Sequence, residues 1–172
     1  ELNVKRFIYA SSSSVYGNPP SLPFEEKMPT NPISPYAVQK LIGEEYCKMY
    51  SKVYGMDTAC LRYFNVYGDR QPTEGAYCTI LGIFTKQMRN GEELTITNDG
   101  EQKRDFTHVS DIVEANMKAM SHTTSLNGEA FNIGYGKRVS INEIASYFGG
   151  EKKYIGTVLE PGETLADNSK AR

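Results

Sequence analysis

A run of four serines, Ser11 to Ser14, closes an apolar stretch, and Tyr36 and Lys40 follow in Ser34-Pro35-Tyr36-Ala37-Val38-Gln39-Lys40. A phenol beside an ammonium ionises more easily, because the nearby positive charge favours phenolate. A hydroxyl within reach of that phenol relays the proton of a carbinol while a separate acceptor takes the hydride. At i and i+4 of one helix, Tyr36 and Lys40 share a face. Among twelve tyrosines, one with lysine four residues on is no more than chance supplies, so the context must carry the reading. A serine run alone is more often a solvated loop than a catalytic group.

The elements that must position these groups are legible on either side. Residues 4–11 read as a buried parallel strand, and 12–34 as a loop rich in Ser, Pro and Asn. Ser34 suits an N-cap and Pro35 a first helical position, so a helix is expected over 35–54, ended by Gly55. Val38, Leu41, Ile42, Tyr46 and Met49 mark its apolar face. A second buried strand over 58–64 completes a βαβ crossover of the doubly wound type.

Beyond Gly68 the units are smaller. A polar loop over 69–76 precedes a helix over 80–89, then a strand at 94–97 closed by an Asn98-Asp99-Gly100 turn. A short strand is expected at 104–108, a helix with an acidic first turn at 111–120 and a strand at 130–133. Ser140-Ile141-Asn142-Glu143 is a capping box opening a helix that ends at Phe148. Gly134-Tyr135-Gly136 imitates a dinucleotide fingerprint, but Val139 holds the place of its third glycine, and the segment reads as a tight turn.

Composition narrows the function. A net charge of −2 leaves no basic surplus for nucleic acid, and no apolar run approaches membrane-spanning length. Cys47, Cys60 and Cys78 are odd in number and irregularly spaced, which fits a reducing cytoplasm better than a disulfide framework. His108 and His122 have no metal-ligand spacing, so no metal is expected.

Further tracts accompany the serine run and the Tyr36/Lys40 pair. They are Leu61-Arg62-Tyr63-Phe64-Asn65-Val66-Tyr67-Gly68, Asp99-Gly100-Glu101-Gln102-Lys103-Arg104-Asp105-Phe106, Val109-Ser110-Asp111, Phe131-Asn132-Ile133-Gly134 and Leu165-Ala166-Asp167-Asn168-Ser169-Lys170. With these motifs in this order, the chain resembles the extended short-chain dehydrogenase/reductase family, in particular its nucleotide-sugar 4-epimerases, over residues 6–171. The resemblance implies an α/β fold: the C-terminal part of a doubly wound, Rossmann-type parallel sheet with a smaller α/β substrate-binding domain. Residues 1–68 would be the second half of the NAD-binding domain with the catalytic residues, and 69–172 mainly the nucleotide-sugar domain. The Gly-rich N-terminal half of such an enzyme is not among these residues, so the chain is expected to be part of a longer protein.

The resemblance also assigns roles. It makes Tyr36 the general base, Lys40 its tuner and a ligand of the nicotinamide ribose, and Ser12 the catalytic hydroxyl. Phe64 would lie against the nicotinamide. Substrate contacts would come from Ser12, Asn65, Thr79, Ile80, Arg104 and Thr164, with Asn65 and Arg104 on the diphosphate. Each has a plainer alternative: a turn-capping hydroxyl for Ser12, core packing for Phe64 and a surface ion pair for Arg104. Ser13 and Ser14 stand where dehydratases of this family carry Asp-Glu and decarboxylases a glutamate, which points to simple epimerisation. Two departures stand out. The segment Leu159-Glu160-Pro161-Gly162-Glu163-Thr164 is shortened and lacks an arginine expected on the diphosphate, and Gly82 replaces a usual proline. Thr164, just before Leu165-Ala166-Asp167, would line the pocket around the sugar C2 substituent, and its small size would admit N-acetylated sugars.

The resulting expectation is an isomerase: a cytoplasmic UDP-sugar 4-epimerase working through tightly held NAD and a transient 4-keto sugar, as a homodimer with no nucleic-acid or membrane partner. The alternatives are another nucleotide-sugar enzyme of the superfamily, a dehydratase or reductase, and a non-catalytic binding protein that retains the fold.

Overall fold

The computed structural model describes residues 4–75, 78–157 and 163–172. The first strand, β1 (Arg6–Ser12), leads into a single 3-10 turn at Ser13–Tyr16 and a loop, then α1 (Pro35–Tyr54) and β2 (Asp57–Tyr63). Ser34 caps α1 as its composition predicts, its hydroxyl accepting from the Ala37 N–H at 3.2 Å. Gly55 ends the helix in the left-handed region, with φ 66°. β1 and β2 pair in parallel from Arg6 opposite Asp57 to Ser12 opposite Tyr63, so the βαβ unit is present.

The remaining elements are β3 (Val66–Tyr67), α2 (Ile80–Asn90), β4 (Leu94–Thr97), β5 (Lys103–Asp105), β6 (Thr107–His108), α3 (Val109–Ser121), β7 (Glu129–Ile133), β8 (Arg138–Ser140), α4 (Ile141–Phe148) and β9 (Lys152–Ile155). β7 returns to the main sheet and extends it as β1-β2-β7, all parallel. Smaller pairs form the second lobe: β4 with β9 in parallel and β5 with β8 antiparallel. Its core is Phe84, Leu94, Ile96, Ile141 and Ala145. The single strand expected at 104–108 is two strands. The chain changes partner at Phe106, from β8 to β3, and a partner change leaves no mark in local sequence. Among the described residues no helix is long and apolar enough to cross a membrane.

The expected apolar face of α1 is corrected in part: Leu41 is half-buried against the core of Val15, Tyr16, Phe24 and Phe64. Val38, Ile42 and Tyr46 are exposed, and the buried positions are Ala37, Glu44 and Cys47. With Lys40, these form the stripe 37, 40, 44, 47 at helical spacing, so the stripe toward the sheet includes two charged side chains. Glu44 is fully buried and accepts from Arg62 Nε at 2.9 Å, Arg62 Nη2 at 2.7 Å and Ser11 Oγ at 2.5 Å.

Gly82 is buried at the first turns of α2, where a Cβ would lie 2.3 Å from the Pro72 carbonyl oxygen. The close approach of backbone to backbone accounts for glycine at this position.

The start of the sheet is tied to the loop that follows α3 through Asp57. Its carboxylate accepts from Arg6 Nε at 2.6 Å, Ser125 Oγ at 2.9 Å and the Leu126 N–H at 2.7 Å. Burial pushes this carboxyl up, but the Leu126 N–H, Arg6 and Ser125 together hold it below its ordinary value. A lowered carboxylate contributes stability that is present above its unfolded-state pKa and lost as pH falls through the folded-state one. Acid denaturation of an Asp57→Asn variant should therefore lack part of the loss of stability expected of the unmodified protein below about pH 4, read by urea midpoints across pH.

Candidate active site

β1 and β2 end at one edge of the parallel sheet, where open α/β sheets bind ligands. At the end of β1, Ser12 Oγ accepts from the Ser14 N–H at 3.2 Å. The capping alternative for Ser12 is thus realised. It is compatible with proton transfer, because an accepting hydroxyl keeps its own proton to donate. α1 brings Lys40 to the same strand end, where Nζ donates to the Ala10 carbonyl at 2.9 Å. Lys40 Nζ lies 5.6 Å from the centre of the Tyr36 ring, and Tyr36 is 38% exposed. The structure thus brings the phenol and the ammonium together on α1, with Ser12 on the strand whose carbonyl fixes the lysine. An ammonium has three donors, and one is spent on Ala10.

A second group of residues gathers around a cavity of about 190 Å³ between the sheet edge and the smaller lobe. Asn65, Thr79, Ile80 and Arg104, all expected to touch substrate, line it together. Thr97, Gln102, Phe106 and Ile141 complete its wall and were not expected. The Asp99-Gly100-Glu101-Gln102 tract places Gln102 here, with Nε2 donating to the Thr97 carbonyl at 3.2 Å. Arg104 is 8% exposed and lines the cavity wall. Thr79 precedes α2 without capping it through its side chain, and its buried Oγ1 has no hydrogen-bond partner among the described residues. A helix N-terminus and an arginine lining one small cavity have the chemistry that suits an anion.

Phe64 and Thr164 are both buried. Phe64 is fully buried among Val15, Tyr16, Phe24 and Ala166, so core packing is its observed role and no face of its ring remains for a nicotinamide. Thr164 is 8% exposed and does not line the cavity. Its Oγ1 accepts from Asn65 Nδ2 at 3.1 Å and from the Asp105 N–H at 3.2 Å. Residues 159–162 of the shortened segment before it lie outside the described residues.

Asp105 was not singled out by sequence, although its carboxylate ties the turn after β7 to Ala166. Its carboxylate accepts from the N–H groups of Tyr135, Gly136 and Ala166, each at 3.0 Å. Burial pushes this carboxyl above its ordinary value, against those three donors. The Gly134-Tyr135-Gly136 turn is thereby explained: its amides face a protein carboxylate instead of a phosphate.

Comparison with known proteins adds independent support. A family model described as the NAD dependent epimerase/dehydratase family matches residues 1–134. A putative UDP-glucose 4-epimerase of Methanocaldococcus jannaschii is 42% identical over 143 residues, covering 83% of this chain and 45% of that protein. Among solved structures, a UDP-N-acetylglucosamine 4-epimerase from Methanobrevibacter ruminantium M1, in complex with UDP-N-acetylmuramic acid, superimposes with a TM-score of 0.92 at 35% identity, over 98% of this chain and 56% of that one. A UDP-glucuronic acid 4-epimerase from Bacillus cereus, in complex with UDP-glucuronic acid and NAD, does so with a TM-score of 0.88 at 38% identity, over 96% and 54%. The chain spans about half the length of the curated relatives it matches.

Proposed function

Because this chain belongs to the NAD dependent epimerase/dehydratase family, we propose that it forms the proton-transfer and sugar-nucleotide-binding part of an enzyme that inverts C4 of a UDP-hexose. The observation that carries the reading is the convergence of Asn65, Thr79, Ile80 and Arg104 on one cavity of anion-binding character. Ser12, Tyr36 and Lys40 at the neighbouring strand end supply the reactive groups. The residues present fit the cofactor: Lys40 keeps two ammonium donors for ribose hydroxyls, and Tyr36 stands exposed beside it. When bound, NAD supplies the acceptor and donor of hydride, so no net redox change accumulates.

In this reading Tyr36, as phenolate, removes the proton of the C4 hydroxyl through Ser12. Lys40 stabilises the phenolate by its charge and holds the ribose. Arg104 and the first turn of α2 grip the diphosphate, and the flat 4-keto sugar turns its other face before the proton is returned. Ser13 and Ser14 carry no carboxyl group for eliminating water, which supports epimerisation over dehydration. The exposed stripe of Val38, Ile42, Tyr46 and Tyr50 on α1 supports pairing of two copies through this helix. The free thiols of Cys47, Cys60 and Cys78 support a reducing, cytoplasmic setting.

The test is incubation of the full-length protein with UDP-glucose. Interconversion with UDP-galactose and no build-up of reduced nicotinamide is expected. A dehydrated 4-keto-6-deoxy product, or stoichiometric NADH, would overturn the reading.

Arg104→Ala should chiefly weaken binding. A hydrogen bond to a charged group contributes about 1.5–3 kcal/mol, so Kd for UDP should rise by about one to two decades. Calorimetric titration with UDP checks this, and an unchanged Kd removes Arg104 from the diphosphate.

A further inference from the structure

The Lys40 ammonium is held by a carbonyl and two aromatic rings. Its Nζ donates to the Ala10 carbonyl at 2.9 Å and lies 5.4 Å from the centre of the Tyr9 ring and 5.6 Å from that of Tyr36. Both distances are within reach of a cation–π contact. Among the described residues Lys40 forms no ion pair. Glu44 stands one turn further along α1, but its carboxylate is taken by Arg62 and Ser11. The difference is chemical. A carboxylate beside the ammonium would offset the positive charge that favours a phenolate, whereas a neutral ring face holds the ammonium and leaves its charge in place.

Tyr9 reaches Lys40 because α1 carries glycine where the ring crosses it. A Cβ on Gly43 would lie 2.2 Å from Cζ of the Tyr9 ring and 2.3 Å from its hydroxyl, so a larger residue would push the ring away. Glycine weakens a helix interior, and Gly43 is the one glycine in α1. The ring also packs with Cys47, Cys60 and Ala130. Burial pushes the Tyr9 phenol above its ordinary value, and Cys47, Cys60, Glu44 and Tyr36 act in the same direction, so Tyr9 stays neutral. Its hydroxyl is 3.5 Å from the Gln39 carbonyl, the outer limit of a hydrogen bond, and adds little to its placement.

We infer that Tyr9 is a positioning residue: its ring face, admitted by Gly43, holds the Lys40 ammonium beside Tyr36 without neutralising it. The inference rests on the proposed proton-transfer reading and deepens it, naming what keeps the charge of Lys40 next to the phenol. Tyr9 acts through Lys40.

Full-length enzyme carrying phenylalanine at position 9, or its mono-, di- or trifluoro derivative, separates this role from packing. Fluorine withdraws charge from the ring face and leaves the ring's shape and apolar character nearly unchanged. Tyr9→Phe should keep kcat within about twofold of the parent. Along the fluorinated series kcat for UDP-glucose should then fall stepwise, by about two- to fivefold in all, the span of an exposed cation–π contact. Bound NAD should be displaced by excess NADH faster in the same order, because in that reading Lys40 also holds the ribose. Kd for UDP should stay within about twofold throughout, which reports that each variant is folded. Tyr9→Leu, which removes the ring, should lose at least as much kcat as the trifluoro derivative, and the fluorinated series decides the matter even where Tyr9→Leu does not fold. Equal kcat and equal NAD exchange from phenylalanine to the trifluoro derivative would make Tyr9 a packing residue and overturn the inference alone. Failure of the unmodified enzyme to interconvert UDP-glucose and UDP-galactose would instead overturn the functional reading beneath it.

Discussion

Full-length enzyme carrying Tyr36→Phe is expected to lose roughly two to four decades of kcat, the range for removing a positioned acid–base group. Phenylalanine keeps the ring beside Lys40 and deletes only the oxygen. Lys40 retains its bond to the Ala10 carbonyl, 2.9 Å long and independent of the phenol, so the local backbone has no reason to move. UDP affinity should stay near the parental value, because the cavity of Arg104 and Thr79 is built from other elements. The signature is therefore a fall in kcat with little change in UDP binding, measured by steady-state turnover of UDP-glucose and by calorimetry with UDP. Turnover within a few-fold of the parent would remove Tyr36 from proton transfer and leave Ser12 as the group to test next.

How the chain positions Tyr36 was legible because the signals are local. Ser34, Pro35 and Gly55 delimit α1 by capping chemistry alone, and the helix observed is the one predicted from them. The Asn98-Asp99-Gly100 turn marks the end of β4 for the same reason, both Asn98 and Gly100 having positive φ. What local chemistry cannot show is the partner. The apolar residues of α1 mark a stripe, and periodicity says nothing about whether that stripe meets the sheet or stays exposed. Here the sheet takes Ala37, Lys40, Glu44 and Cys47, because Arg62 on β2 offers Glu44 a bidentate partner that no scan along α1 can see. The partners of Thr164 were hidden for a related reason. Its place beside Leu165-Ala166-Asp167 was readable, but the donors that claim its hydroxyl, Asn65 and Asp105, lie 99 and 59 residues away. Arg104 stood out as a candidate because an arginine followed by Asp105-Phe106 carries its setting in the adjacent sequence, and it lines the cavity.

Removal of the carboxylate in Glu44→Ala should destabilise the folded protein by about 3–5 kcal/mol, the cost of leaving one partner of a buried ion pair without the other. The Arg62 side chain is 3% exposed and Glu44 is fully enclosed, so neither charge reaches water that would screen it. In the parent, the Glu44 carboxylate and the face of Tyr16, 4.7 Å from the guanidinium carbon, flank Arg62. The cluster then continues outward: Tyr16 donates to Asn132 Oδ1 at 2.7 Å, and Asn132 Nδ2 donates to the Phe24 and Asp167 carbonyls. Loss of Glu44 thus loosens the packing of α1 on β1 and β2 at once. It also frees the Ser11 hydroxyl, one residue before Ser12, so activity should fall with stability although Glu44 touches no substrate. The double variant Glu44→Leu/Arg62→Met removes both charges and fills their space with apolar side chains. It should recover much of the lost stability, because an apolar pair leaves nothing uncompensated. Urea unfolding at fixed NAD concentration measures both variants against the parent. If Glu44→Ala costs less than about 1 kcal/mol, the pair behaves as an exposed one and the burial argument fails. If the double variant is as unstable as the single one, the loss came from the cavity and not from the unpaired arginine.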